Sequence, residues 1–315
     1  MTGTVPMTAK DVWDIPGLEK YHGQDMFLSE ALTLEAKTAM DSAVNSDEPF
    51  FLYMSHYTVH VPLEKDNRFY QKYADMGLDE KEAIYAALVE GMDKSLGDIM
   101  DYLEQKKIAD NTIILFMSDN GGLSAHGRGG ERNTHNKPLS SGKGSIHEGG
   151  IREPMIVKWP GQVKANSSND NYLIIEDFYP TILEMAGVTT YNTVQQIDGK
   201  SFLPLLTDTS SGQTEDRPLF WHYPNNWGPK GPGIGSFSAV RQGDWKLIYY
   251  HLDESFELFD ISKDIGETQN LVKDQPEKVK ELSTTLTNFL KEVDAQLPVH
   301  KTSGKTVTFP DAINI

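Results

Sequence analysis

The chain is 315 residues long, 38% hydrophobic and 10% aromatic, enough to bury a sizeable core, and it holds no apolar run of the length a membrane span needs. Only 29 Lys and Arg stand against 46 Asp and Glu, and the formal net charge of -17 excludes non-specific binding to nucleic acid or to an anionic membrane. A cysteine count of 0 rules out disulfides, thiolate metal sites and a cysteine nucleophile within this chain.

The opening MTGTVPMTAK lacks the basic-then-apolar layout of a secretory signal, so the expected product is a mature, trimmed or internally started one. Phe27 to Ala43 carries an apolar stripe at helical spacing and reads as a surface helix. Phe50-Phe51-Leu52-Tyr53-Met54 is continuously apolar, as expected of a central parallel strand buried on both faces. Asp79 is a predicted N-cap with Glu82 three residues on, a capping-box pattern. It opens a helix with Ile84, Leu88, Met92, Leu96, Ile99 and Leu103 on one face.

Thr112 to Met117 is a second apolar strand, and strand, helix and strand together predict a right-handed crossover in a parallel sheet. Met155 to Trp159 is a third strand and Ile175 to Ala186 a further helix, so the alternation predicts an α/β domain. From about Asp216 short runs separated by turns (Leu219 to Trp221, Ser238 to Arg241, Lys246 to Tyr250, Glu257 to Asp260) predict a small antiparallel sheet. A polar helix from Glu277 to Val293 closes it. The expected division is 1–215, 216–300 and an irregular tail over 301–315.

Three clusters carry candidate chemistry. Ser118-Asp119-Asn120-Gly121-Gly122 follows a predicted buried strand, the place where open α/β sheets put ligand groups. Asp119 and the Asn120 amide oxygen are hard donors suited to Ca²⁺ or Mg²⁺, although such a run also serves as a plain turn. Gly142-Lys143-Gly144 and Glu148 to Pro154 lie between Gly121 and Pro160, where six cations stand against three anions, a candidate anion site in an acidic protein or else a solvated loop. His56 and His60 follow the Phe50 to Met54 run, where a histidine can hand a proton to a leaving group near neutral pH or simply fill a surface position.

In order and spacing, PFFLYMSHYTVHVPL, NTIILFMSDNGG and NKPLSSGKGSIHEGGIREPMIVKWPG resemble the sulfatase family of the alkaline-phosphatase superfamily, near arylsulfatases and N-acetylgalactosamine-6-sulfatases. The likeness continues through EDFYPTILEMAGV, DGKSFLPLL, DWKLIYY and ELFDISKDIGETQNL, roughly Tyr21 to Leu290. It implies part of an alkaline-phosphatase-like, mostly parallel sheet sandwiched by helices, with a small C-terminal antiparallel sheet and helix. It implies Asp119 and Asn120 as Ca²⁺ ligands, with Mg²⁺ as the alternative ion, Lys143 on the sulfate, and His60 on the sulfate or the leaving oxygen. The reaction implied is sulfate ester hydrolysis by a hydrated formylglycine, with a sulfated carbohydrate as substrate and a periplasmic or extracellular setting.

The formylglycine motif, CxPxR or SxPxR, is absent: there is no cysteine and no serine stands two residues before a proline. The paired acidic residues and the Lys-x-His segment that the family places before the His60 position are also not found. The resemblance therefore implies a chain that starts within the catalytic domain, lacks the nucleophile and is inactive alone, being either a half that pairs with an N-terminal sulfatase fragment or a truncated product. His56, Arg128, Arg132, His135 and His222 are further candidates for substrate contact, with His126 in the same variable segment.

Three rivals are weighed. A non-catalytic relative that binds sulfated glycans fits the missing nucleophile, and a phosphatase or phosphonate hydrolase of the same superfamily would share the metal pair. A serine acyl-transfer enzyme fails on order, because Ser140 to Lys143 has SxxK spacing but follows Ser118-Asp119-Asn120 and no KTG comes after.

Overall fold

The structure is a computed structural model that describes residues 15–124, 128–207 and 217–313. It divides into two compact units, Met1–Thr112 with Leu123–His135, and Ile113–Gly122 with Asn136–Ile315. Among the described residues no helix is long and apolar enough to cross a membrane.

The first unit is helical: α1 (Leu28–Asn45), α2 (Tyr70–Asp75) and α3 (Glu80–Gln105). The Asp79 carboxylate caps α3, accepting from the backbone N–H of Lys81 at 3.1 Å and of Glu82 at 3.3 Å. Glu82 does not complete the expected capping box, because its carboxylate is taken by Arg128 at 2.6 Å. The buried stripe of α3 also differs from the predicted one. Ala83, Ala87, Gly91 and Ser95 recur every fourth residue and are buried, whereas Ile84, Met92, Leu96 and Ile99 are only half-buried. Small side chains allow close helix approach, and Ser95 Oγ meets Thr33 Oγ1 of α1 at 2.5 Å.

The expected central strand at Phe50 to Met54 is not formed. Phe51 and Tyr53 are 75% and 82% exposed. A strand needs ladder partners to satisfy its backbone, and this segment has none among the described residues.

In the second unit β1 (Ile114–Met117) pairs with β2 (Met155–Lys158), and the pairing is antiparallel. The crossover expected from Phe50 to Met54 into β1 is not formed, because the first of those runs is not a strand. The register Met117↔Met155 sets the end of β1 beside the start of β2. Ser118 to Gly122 therefore emerges next to Arg152-Glu153-Pro154. The short α4 (Glu148–Ile151) leads into β2, and α5 (Phe178–Met185) and α6 (Leu203–Thr207) follow it. The helix predicted from Ile175 begins instead with a tight turn, Ile175–Asp177. Asp177 is fully buried there, accepting from Ile174 N and Lys200 N and pairing with Arg217.

The C-terminal meander is as predicted: β3 (Leu219–Tyr223), β4 (Phe237–Gln242), β5 (Trp245–Tyr250) and β6 (Ser255–Asp260), antiparallel and in that order. One face holds Val240, Leu247, Tyr249 and Leu258, covered by Val279, Leu282, Leu286 and Leu290 of α7 (Pro276–Glu292). The other packs Ala239, Ile248 and Phe259 around Ile146. β5 is thus buried on both sides, with alternate residues going to opposite cores. The segment after α7 is irregular but docked: Tyr249 Oη donates to the Thr308 carbonyl at 2.7 Å and Val307 is buried.

Candidate functional site

Asp119 and Asn120 sit in the turn that leaves β1, with Asp119 exposed and Asn120 half-buried. Ser118 Oγ donates to the Asn120 carbonyl at 2.9 Å and fixes the turn. Gly121 N donates to the Gly150 carbonyl at 3.0 Å, and a methyl group at Gly121 would collide with the Gly149 carbonyl oxygen, so this position has to be glycine.

Lys143 is joined to the same turn through its backbone, its N–H donating to the Gly122 carbonyl at 3.1 Å. The Asn136 amide reinforces the junction by donating to the carbonyls of Gly122 at 3.1 Å and Ser141 at 2.9 Å. Gly144 has φ of +83° and the Trp227 ring occupies the space a β-carbon would need. The Gly-Lys-Gly run is therefore a fixed turn against Trp227, and the half-buried Lys143 extends from it.

Sequence reading did not single out Glu153 or Asn136. Glu153 Oε1 is buried with no hydrogen-bond partner, and burial first, then the neighbouring Asp119 charge, lifts its carboxyl to about 7. Glu153 and Arg152 line a cleft of ≈ 210 Å³ together with Gly121, Gly122, Asn136 and Lys137. The signal available was its place in Glu148 to Pro154, but only the antiparallel pairing of β1 and β2 brings Glu153 to Asp119.

The donor set fits a hard cation in kind. Asp119 and Asn120 offer oxygens, and the unpartnered Glu153 oxygen facing a second carboxylate is the arrangement a divalent ion would relieve. Among the described residues no three His, Cys, Asp or Glu side chains converge, so these residues fill only part of the six to eight positions Ca²⁺ takes.

In the helical unit His60 is exposed. Its Nδ1 lies 2.7 Å from the Val61 carbonyl. A carbonyl can only accept, so Nδ1 carries the proton and Nε2 is left to take or give one. His56 is seated against α3, with Nε2 at 3.3 Å from Ser95 Oγ, and burial pushes its imidazole down, keeping it neutral. Arg128 and His135 converge on Glu82: Arg128 makes two contacts of 2.8 and 2.6 Å and stacks on Tyr85 at 4.0 Å, while His135 Nε2 lies 3.3 Å away. Arg132 is exposed, and His126 lies outside the described residues. In the other unit His222 is engaged within the fold, with Nδ1 at 2.8 Å from Ser238 Oγ and Nε2 at 3.1 Å from the Gln296 carbonyl.

A sequence profile described as Sulfatase matches residues 5–188, and one described as N-sulphoglucosamine sulphohydrolase, C-terminal, matches 141–296. A sulfatase of Formosa agariphila is 34% identical over 294 residues, 86% of this chain and 52% of that protein. Human N-acetylgalactosamine-6-sulfatase is 34% identical over 248 residues, 78% of this chain and 42% of the relative. N-acetylgalactosamine-6-O-sulfatase of Bacteroides thetaiotaomicron is 30% identical, covering 84% and 51%. The chain thus spans about half the length of the curated relatives it matches. Among solved structures, Ps i-CgsB in complex with k-i-k-neocarrahexaose aligns with a TM-score of 0.72 at 28% identity, over 85% of this chain and 55% of that one, which shows the alkaline-phosphatase-like α/β class. By these matches, over the same motifs that form the Asp119 turn and the Lys143 loop, the chain belongs to the sulfatase family.

Proposed function

We propose that this chain supplies the cation-binding turn and the sulfate-binding lysine of an enzyme that hydrolyses sulfate esters of sulfated carbohydrates. The observation that carries this is the backbone junction between the two, Lys143 N to the Gly122 carbonyl at 3.1 Å. It holds an anion-seeking ammonium and a cation-seeking turn in one fixed frame. The carbohydrate assignment is supported by the relatives, three of which carry hexosamine-sulfatase names or a bound carrageenan oligosaccharide.

In this reading Asp119 and Asn120 hold a Ca²⁺ ion and Lys143 directs its ammonium at the sulfate. The transferring group is anionic throughout, and charges fixed beforehand stabilise it without reorganisation during the reaction. His60, with Nδ1–H committed to the Val61 carbonyl, uses Nε2 to protonate the departing alcohol oxygen. When bound, Ca²⁺ and a formylglycine hydrate from outside this chain would supply charge neutralisation and the nucleophile. These residues by themselves then turn over no sulfate ester, because the formylglycine-bearing segment the reaction needs is not among them, and the proposed setting is periplasmic or extracellular. The 1–215 and 216–300 division remains part of this reading, the first segment catalytic and the second a supporting sheet and helix.

The test is calorimetric titration of the purified chain with inorganic sulfate and with Ca²⁺, alongside hydrolysis of 4-methylumbelliferyl sulfate. Sulfate binding lost in Lys143→Ala and Ca²⁺ binding lost in Asp119→Asn are the expected results, with no turnover by the chain alone. Binding unaffected by either substitution overturns the site, and turnover by these residues alone overturns the requirement for a formylglycine-bearing segment.

A further inference from the structure

Lys246 is fully buried on β5, yet no part of the reading above uses it. A buried ammonium is expensive unless several groups solvate it, and here three do. Lys246 Nζ lies 3.0 Å from the Ile146 carbonyl, 2.8 Å from Glu148 Oε1 and 2.6 Å from Glu267 Oε1. Glu267 Oε2 in turn accepts from the Glu148 backbone N–H at 2.6 Å. Two of these groups, Ile146 and Glu148, belong to the chain segment that returns from Lys143, and a third partner to it, His147, is fixed on both ring nitrogens. Its Nδ1 lies 2.9 Å from Ser140 Oγ and its Nε2 3.0 Å from Glu257 Oε2.

The network is charged in a definite way. Glu148 also receives Arg152 at 3.3 Å and Arg241 at 3.4 Å. Burial alone would raise its carboxyl, but the Lys246 ammonium and Arg241 outweigh burial and hold it below the ordinary carboxylate range. Glu267 has no such surplus of cations, and there burial wins and lifts the carboxyl. The two carboxyls that flank Lys246 are thus pushed in opposite directions, Glu148 down and Glu267 up.

We infer that Lys246 is a positioning residue for sulfate recognition: from the C-terminal sheet it grips Ile146 and Glu148 and so sets the place of the Gly142-Lys143-Gly144 turn. The route is short and wholly bonded. Lys246 holds the Ile146 carbonyl, Ile146 N donates to the Gly233 carbonyl at 3.0 Å, and Ser145 N closes the Lys143 turn on the Gly142 carbonyl at 3.0 Å. Downstream, Gly149 N donates to the Ser140 carbonyl at 2.9 Å, so both sides of the turn are clamped. Ile248, two residues on, faces Ile146 from the same side of β5 and supplies the apolar half of the grip.

This inference rests on Lys143 as the sulfate ligand, and the test separates the two. Sulfate affinity is measured by calorimetry at constant ionic strength for the wild type, Lys143→Ala, Lys246→Met, Glu267→Ala and Leu286→Ala. Glu267→Ala keeps the Lys246 charge but removes the acceptor for Glu148 N–H, so it reports even if Lys246→Met does not fold. Leu286→Ala weakens the core on the opposite face of the sheet and serves as the control for stability alone. The expected result is sulfate binding about tenfold weaker in Lys246→Met and several-fold weaker in Glu267→Ala, with Leu286→Ala at wild-type affinity. Lys246→Met or Glu267→Ala binding as the wild type, or Leu286→Ala losing as much as they do, overturns the inference while leaving Lys143 intact. A wild type indistinguishable from Lys143→Ala removes the sulfate site itself and this inference with it.

Discussion

At the scale of single residues, His251 shows how a buried polar chain is wired and what it costs. Ser236 Oγ is 2.8 Å from the Pro224 carbonyl, to which it can only donate, so it accepts from His251 Nδ1 at 2.8 Å. His251 Nε2 lies 2.8 Å from Ser238 Oγ, which is also 2.8 Å from His222 Nδ1. Burial first, then the nearby His222, pushes the His251 imidazole down to about 4. The unfolded imidazole titrates near 6.5, so between those values the unfolded chain binds more protons than the folded one. This contribution to stability is whole above 6.5 and is lost as pH falls towards 4, by at most about 3 kcal/mol. Urea unfolding at several pH values should show wild-type stability falling across that window more steeply than that of His251→Gln. Parallel curves for the two proteins would show that His251 does not titrate this way.

The same residue scale marks how far the sequence could be read at the site. Asp119, Asn120 and Lys143 were singled out by local signals, a strand end and a glycine-flanked cation, and the roles proposed for them came from the resemblance to sulfatases. Glu153 was not, because what distinguishes it is a long-range neighbour, Asp119, and a buried oxygen left without a partner. Arg128 was read as a candidate substrate contact from its place in a segment that varies among sulfatases. Its pairing with Glu82, 46 residues earlier, had no local trace beyond the Glu three residues after a cap.

At the scale of elements, periodicity located the helices and the C-terminal meander but not every partner. Leu282, Leu286 and Leu290 of α7 follow helical spacing and are all buried against the sheet. Truncating Leu286, fully buried in that cluster, removes apolar contact and leaves a cavity, so Leu286→Ala should cost about 3 kcal/mol by urea unfolding. A cost under about 1 kcal/mol would mean that α7 repacks freely and is not the lid of that core. For β1 the hydrophobic run predicted a strand and the strand formed, yet the crossover expected from Phe50 to Met54 into it did not, because that earlier run is not a strand. An apolar run states burial, and only the connection states parallel or antiparallel. Helix α3, between the Phe50 to Met54 run and β1, suggested that crossover, whereas the strand that pairs with β1 comes later in the chain, at Met155 to Lys158.

At the scale of the whole molecule, the net charge of -17 and an exposed apolar run pull in opposite directions. Repulsion between like-charged copies favours a dispersed chain, whereas Phe50, Phe51, Leu52 and Tyr53, exposed by 37, 75, 38 and 82%, offer an adhesive apolar strip with no ladder partner among the described residues. The sequence marked this run as the innermost strand of a sheet, and the same residues that would suit a doubly covered strand are what make it adhesive when nothing covers it. Charge screening should decide which effect wins. At low ionic strength repulsion keeps copies apart, and as salt rises beyond a Debye length of about 10 Å near 0.1 M the apolar strip takes over. Light scattering of the purified chain should therefore rise with salt, and Phe51→Ser with Tyr53→Ser should abolish the rise. Both side chains are largely in solvent, so the double substitution should leave the melting temperature within about a degree or two, since surface changes of this kind cost only a few tenths of a kcal/mol. Scattering that rises equally in the variant would place the adhesive surface elsewhere. A large fall in melting temperature would show instead that the run is packed against the chain's own core.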